Sequence, residues 1–103
     1  MIRVSVMYAN RKHPRFDMTY YLTRHMPMVA TLLGSALKGA AVDEGLSGAA
    51  PGSTPPYLMM THLMFESVEA YQTAIEPHVQ AIMGDIPEFT NCQTVIQVST
   101  VRG

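Results

Sequence analysis

The stretch Tyr57–Phe65, YLMMTHLMF, constrains the fold more than any other part of this 103-residue chain. The proline-rich SGAAPGSTPP precedes it and the helix-capping Ser67 follows it, which marks it as a strand. With side chains alternating, Leu58, Met60 and Met64 share one face and Met59, Leu63 and Phe65 the other. A strand that is apolar on both sides needs cover on both sides. Any architecture for the chain must therefore supply two layers against it.

The neighbouring segments define what those layers are. Ile2, Val4, Val6 and Tyr8 alternate with Arg3, Ser5 and Met7, giving a first strand with one strongly apolar face. Asn10 to Arg15 is a polar loop, and Asp17 opens a helix expected to reach about Leu33, where Gly34 stops it. Leu37 to Leu46 alternates weakly and reads as a second strand, with Gly39 and Gly45 permitting a bulge or close backbone approach. Ser47 to Pro56 cannot sustain a ladder and is a loop, short enough to be ordered and able to fold over the mouth of a pocket. Ser67 caps a second helix that Pro77 breaks near Ile75–Glu76, leaving a stub from His78 to Met83 that Gly84 terminates. Asp85 to Thr90 is a loop, and Thr94 to Val101 is a β-branched, two-sided last strand. The order is β-α-β-β-α-β, the split βαβ arrangement of ferredoxin-like α+β folds, in one domain over residues 1–103. Two helices cover only one face of a four-stranded sheet. A second copy of the same sheet covers the other, which predicts a face-to-face homodimer.

Composition agrees. Hydrophobic residues make up 48% of the chain and charged residues 15%, too little charge to coat a monomer comfortably. A net charge of −1 with scattered Lys and Arg argues against nucleic acid or an anionic membrane as partner. No apolar run reaches the length of a membrane span, and Arg3 interrupts the first apolar segment, so a signal peptide is not expected. The lone Cys92 precludes an internal disulfide and fits a reducing cytoplasm; with no His or Lys beside it, it reads as a packing residue. The nine methionines either fill the core or line an adaptable pocket.

The richest chemistry lies in Phe16–Pro27, FDMTYYLTRHMP. Asp17 is placed to accept a hydrogen bond from the N–H of Thr19 or Tyr20, and Phe16 and Tyr21 have the spacing of a hydrophobic staple. Met18, Leu22, Met26, Val29 and Leu33 form an apolar stripe beside Asp17, Tyr21, Arg24 and His25. Pro27 cannot donate to the carbonyl of Thr23, so the helix should kink or loosen beside His25.

This string, the later GLSGAAPGSTPPY and the run PHVQAIMGDIPEFTNCQTVIQVSTV together resemble the EthD family, associated with ethyl tert-butyl ether degradation, of the dimeric α+β barrel superfamily. The resemblance covers essentially the whole chain, with F-D-x-x-Y-Y-x-x-x-H-x-P as its most specific part. It implies a ferredoxin-like protomer whose sheet pairs with its twin's. Members are often labelled oxidoreductases, and related barrels include lactone isomerases, polyketide cyclases, quinol monooxygenases and haem-degrading enzymes. Function therefore has to be argued from the site.

His25 is the first candidate, a general base for a cyclase, isomerase or cofactor-free oxygenase; the structural alternative is a ring hydrogen-bonded to a free carbonyl. Tyr21, one turn earlier, either orients substrate and holds a developing enolate or is a core tyrosine stapled to Phe16. His78 follows Pro77 at a helix start that keeps its ring neutral, and cyclases of the related barrel type carry a histidine in a similar place; otherwise it is a solvated rim residue. His62, in phase with Met60 and Met64, either has a hydrogen-bonding partner or lines a cavity, the pocket of His25 or the lumen between two sheets. Arg24 binds a substrate carboxylate or phenolate, or pairs with Asp17, while Met60 and Tyr57 are candidate lining residues. His13 lies in a polar loop and is read as solvated. No local spacing brings two metal ligands together and no phosphate loop follows the first strand, so neither metal nor dinucleotide is expected. Three functions follow: a cofactor-independent enzyme acting on a small, mostly apolar, oxygen-bearing molecule, a non-catalytic binding or delivery protein for a partner oxygenase, or a haem-binding barrel.

Overall fold

The four expected strands form in the computed structural model, which describes residues 1–103: β1 Ile2–Ala9, β2 Gly39–Glu44, β3 Tyr57–Phe65 and β4 Thr94–Thr100. They pair antiparallel in the order β2-β3-β1-β4. The two most apolar strands thus sit at the centre, with Val4 opposite Leu63 and Tyr8 opposite Met59. β2 is shorter than expected because Leu37 and Lys38 leave a 3-10 turn, Gly34–Ala36, before pairing begins. This is the ferredoxin-like α+β fold.

One layer of helices covers one face of the sheet. Helix α1 runs from Met18 to Leu33 and ends at Gly34, whose φ of +59° suits a residue without Cβ. Helix α2, Val68–Ile75, is capped by the Ser67 side chain, which accepts from the Ala70 N–H at 3.0 Å. At Pro77 the chain tightens into a 3-10 turn, Glu76–His78, and resumes as the short helix α3, Val79–Gly84. Ile2, Val4, Leu63 and Phe65 from the sheet pack with Val29, Leu33 and Ile82 from the helices as one cluster. Tyr8, Met59, Tyr21, Phe89 and Cys92 form a second, more aromatic one.

The opposite face has no cover within the chain. Met7 of β1 lies opposite both Met60 of β3 and Val95 of β4, with Met64 further along β3. The shortest dimension of the protein, 19 Å, is the thickness of one helical layer on one sheet. No helix is long and apolar enough to cross a membrane.

Candidate active site

The loosening expected at Pro27 takes a specific form. Tyr21–His25 is a π turn, in which the Met26 N–H reaches back to the Tyr21 carbonyl. Such wide turns are uncommon and recur at functional sites. The helix start is fixed from outside. Asp17 Oδ1 accepts from the Tyr20 N–H at 3.0 Å, a cap worth about 1 kcal/mol. The Phe16 and Tyr21 rings meet at 5.1 Å, as a staple requires. The widened turn leaves Tyr21 and His25 stacked, with centroids 5.4 Å apart and planes 16° from parallel.

His25 is 97% buried and its Nδ1 lies 2.9 Å from Asp85 Oδ2, so its partner is a carboxylate rather than a backbone carbonyl. The other carboxylate oxygen, Oδ1, accepts from the Tyr20 hydroxyl at 2.7 Å. Burial alone would push Asp85 up, but the hydrogen bonds from His25 and Tyr20 and the electrostatic attraction of His25 outweigh it and hold Asp85 below the usual carboxylate range. The same hydrogen bond raises the Tyr20 hydroxyl, because deprotonation would set two anions side by side. Asp85 reaches this position because the segment around it is tied to the start of α1. The Asp17 N–H donates to the Phe89 carbonyl at 2.7 Å, Arg15 donates to the Pro87 carbonyl at 2.7 Å, and Phe16 pairs with Thr90. Phe89, fully buried, packs against the imidazole at 4.6 Å and against Tyr21 at 4.9 Å.

Beneath α1 lies a cavity of about 230 Å³, lined by 16 residues of which 14 are hydrophobic. The exceptions are His25 and Thr61. The Thr61 hydroxyl is bonded to the Tyr21 hydroxyl, and burial raises Tyr21 above the ordinary phenol range although that bond works the other way. Tyr8, beside it, is raised by the same desolvation and by the charge that Tyr21 would carry. No hydrogen bond of the protein reaches Nε2 of His25, which is open to the cavity. Ile96, Val79 and Met83 line the cavity yet are 44%, 42% and 41% exposed, so the mouth between β4 and α3 is apolar.

Of the residues singled out in the sequence, the structure brings His25 and Tyr21 together at this cavity. His78 is half-buried in the 3-10 turn and does not line it, although the next residue, Val79, does. His62 and Met60 point to the opposite face of the sheet, where His62 sits between Ser5 Oγ at 2.8 Å and Asp43 at 3.5 Å. Arg24 is exposed and makes no ion pair with Asp17 or any other acid. Tyr57 pairs with Ala9 at the start of β3, outside the cavity wall. The Ser47–Pro56 loop does not cover the mouth; its end bonds instead to Asn10, through Pro55 and Pro56. Met26 and Met83 line the cavity, whereas Met7, Met60 and Met64 lie on the far face. No three His, Cys, Asp or Glu side chains are grouped to hold a metal ion. Sequence reasoning missed Asp85, Tyr20, Thr61 and Phe89. The only local hint was the acid directly after the Gly84 stop, and nothing in its spacing points to a histidine 60 residues earlier.

The EthD domain matches residues 12–92. No functionally curated protein matches the chain. Among solved structures, an EthD-like protein from Ralstonia eutropha is 40% identical, with 99% of this chain and 92% of that one covered and a TM-score of 0.93. An ethyl tert-butyl ether degradation (EthD) family protein from Bacillus halodurans is 16% identical over 99% of both chains, with a TM-score of 0.75. A dimeric ferredoxin-like protein of unknown function from Thermobifida fusca is 15% identical over 97% of this chain and 90% of that one, at a TM-score of 0.59. With a domain match over most of its length and a 40% identical relative covering nearly all of it, the chain belongs to the EthD family.

Proposed function

We propose that the protein is an enzyme that binds a small, mostly apolar, oxygen-bearing molecule beneath α1 and uses His25 as general base. The observation that carries this reading is the Asp85–His25 pair at the wall of an otherwise apolar cavity. A carboxylate on Nδ1 orients the ring and stabilises the imidazolium that forms when Nε2 takes a proton. Tyr20 holds the carboxylate in turn, and Tyr21 and Phe89 pack against the ring and against each other. The cavity volume lies below the ~300–1,000 Å³ of sites for drug-sized ligands, which favours a one-ring molecule over a haem-sized group. Proton abstraction of this kind serves isomerisation, cyclisation or the first step of a cofactor-free oxidation. The buried, unpaired Cys92 accords with a reducing cytoplasm.

Two copies face to face are part of the same proposal. The methionine-rich face carrying Met7, Met60 and Met64 has no cover within the chain, and the dimeric Thermobifida neighbour shares the fold.

A second reading, binding and delivery without chemistry, is favoured by the scarcity of polar groups in the cavity: only two of the lining residues are not hydrophobic. One experiment separates the two. Phenol, benzyl alcohol, acetophenone and anisole are titrated into methyl-labelled protein, and each mixture is then followed by mass spectrometry for the wild type and His25→Gln. Shifts of the Val29, Ile82 and Met83 methyls with conversion that depends on His25 support the enzyme. Shifts without conversion support the binding protein, and no shifts contradict both.

A further inference from the structure

The hydrogen-bond inventory of the cavity says which kind of oxygen the ligand carries. We infer that the ligand is a hydrogen-bond donor, a one-ring phenol or enol whose O–H is received by Nε2 of His25, rather than an ether or ketone. This rests on the cavity being a ligand site and narrows the class of molecule that fills it.

Asp85 fixes where the imidazole carries its proton. Both of its oxygens are occupied as acceptors, Oδ1 from the Tyr20 hydroxyl at 2.7 Å and Oδ2 facing His25 Nδ1 at 2.9 Å. An ionised carboxylate has no proton to give, so the proton between Asp85 and His25 belongs to Nδ1. Held below the ordinary carboxylate range by those two hydrogen bonds, Asp85 stays ionised at neutral pH. A neutral imidazole with its proton on Nδ1 has only a lone pair left on Nε2. That lone pair takes no hydrogen bond from the protein, and since no fully buried side-chain polar atom lacks a partner, Nε2 is open to the cavity that His25 lines. A ligand filling the cavity closes this open acceptor off from water; a ligand O–H bonds it, whereas an ether or carbonyl oxygen leaves it unpaired and adds lone-pair repulsion.

The apolar mouth at Ile96, Val79 and Met83 selects for an otherwise hydrophobic molecule. The same geometry suits the chemistry. The O–H bond breaks, an N–H bond forms at Nε2, and a phenolate or enolate is left beside an imidazolium that Asp85 neutralises.

The test compares three ligands of similar size, phenol, anisole and acetophenone, by titration of the cavity methyls. An apolar cavity without an acceptor prefers anisole, because phenol loses its bonds to water. The inference predicts the reverse in the wild type, phenol bound about tenfold tighter than either of the others, as one charge-relayed hydrogen bond supplies. Asp85→Asn supplies the second arm. With the Tyr20 hydroxyl donating to the amide oxygen, the new NH₂ faces Nδ1, the ring proton moves to Nε2, and the preference turns towards acetophenone. Anisole or acetophenone bound as tightly as phenol by the wild type would overturn the donor class while leaving the cavity a ligand site. If all three leave the cavity methyls unmoved, the ligand-site reading fails and this inference with it.

Discussion

Phe89 is the side chain through which the fold and the candidate site are coupled, and truncating it gives the most quantitative test of that coupling. It is fully buried and meets the rings of Tyr8 at 5.7 Å, Phe16 at 5.3 Å, Tyr21 at 4.9 Å and His25 at 4.6 Å. These neighbours come from β1, the turn before α1 and α1 itself, so no single movement refills the space. Phe89→Ala should therefore fall in the full range for a buried phenylalanine, about 3–5 kcal/mol. A domain of this size has a total of roughly 5–15 kcal/mol, so the variant should fold marginally. At a urea m-value of about 1.5 kcal/mol/M the midpoint should drop by about 2–3 M, read by circular dichroism at fixed protein concentration. Phe89→Leu keeps most of the volume and should lose less than about 1.5 kcal/mol from repacking plus the ring geometry. The leucine variant should remain folded but broaden the His25 ring resonances, because the imidazole loses one of its aromatic neighbours. A loss below about 1 kcal/mol in Phe89→Ala would refute the view that this ring organises the cluster.

Three further outcomes follow from named contacts. Asp85 is held below the ordinary carboxylate range, so its share of stability is present above pH ~4 and is lost as pH falls through its folded value; Asp85→Asn should be less stable at pH 7 and show a shallower melting-temperature decline from pH 5 to pH 2 than the wild type. Met60→Glu places a charge on the uncovered sheet face opposite Met7; by sedimentation the wild type should be a dimer and the variant a monomer, with the helical content unchanged. A Cβ on Gly45 would lie 2.3 Å from the Tyr57 carbonyl oxygen, so Gly45→Ala should lower the thermal midpoint by several degrees, and an unchanged midpoint would mean the β2–β3 junction is looser than described.

The fold was legible because its signals are local. Strand alternation, the Asp17 and Ser67 caps, the Phe16–Tyr21 staple and the Gly34 stop each depend on residues within one or two turns of one another. Pro27 likewise announced a disturbed helix, though not that the disturbance would be a π turn rather than a kink. The two faces of β3 illustrate where such reading ends. Alternation put His62 with Met60 and Met64 correctly, but both faces are apolar, so nothing in the pattern said which one the helices would cover. Thr61 turned out to face the cavity and His62 the open side. The partner of His25 was beyond reach for a different reason. Asp85 comes to it only through the ties of Arg15, Phe16 and Asp17 to Pro87, Thr90 and Phe89, contacts that span more than 70 residues and carry no sequence period.

The central claim is that Asp85 holds the His25 imidazole with its proton on Nδ1 and a free lone pair on Nε2 facing the cavity. Long-range ¹H–¹⁵N correlation spectra of the ligand-free protein at neutral pH read this directly, since a protonated and an unprotonated ring nitrogen resonate far apart. The account predicts an unprotonated Nε2 and a protonated, hydrogen-bonded Nδ1 that loses this signature in Asp85→Asn. A His25 whose proton sits on Nε2 in the wild type would contradict it and leave the ring a structural element of the aromatic cluster.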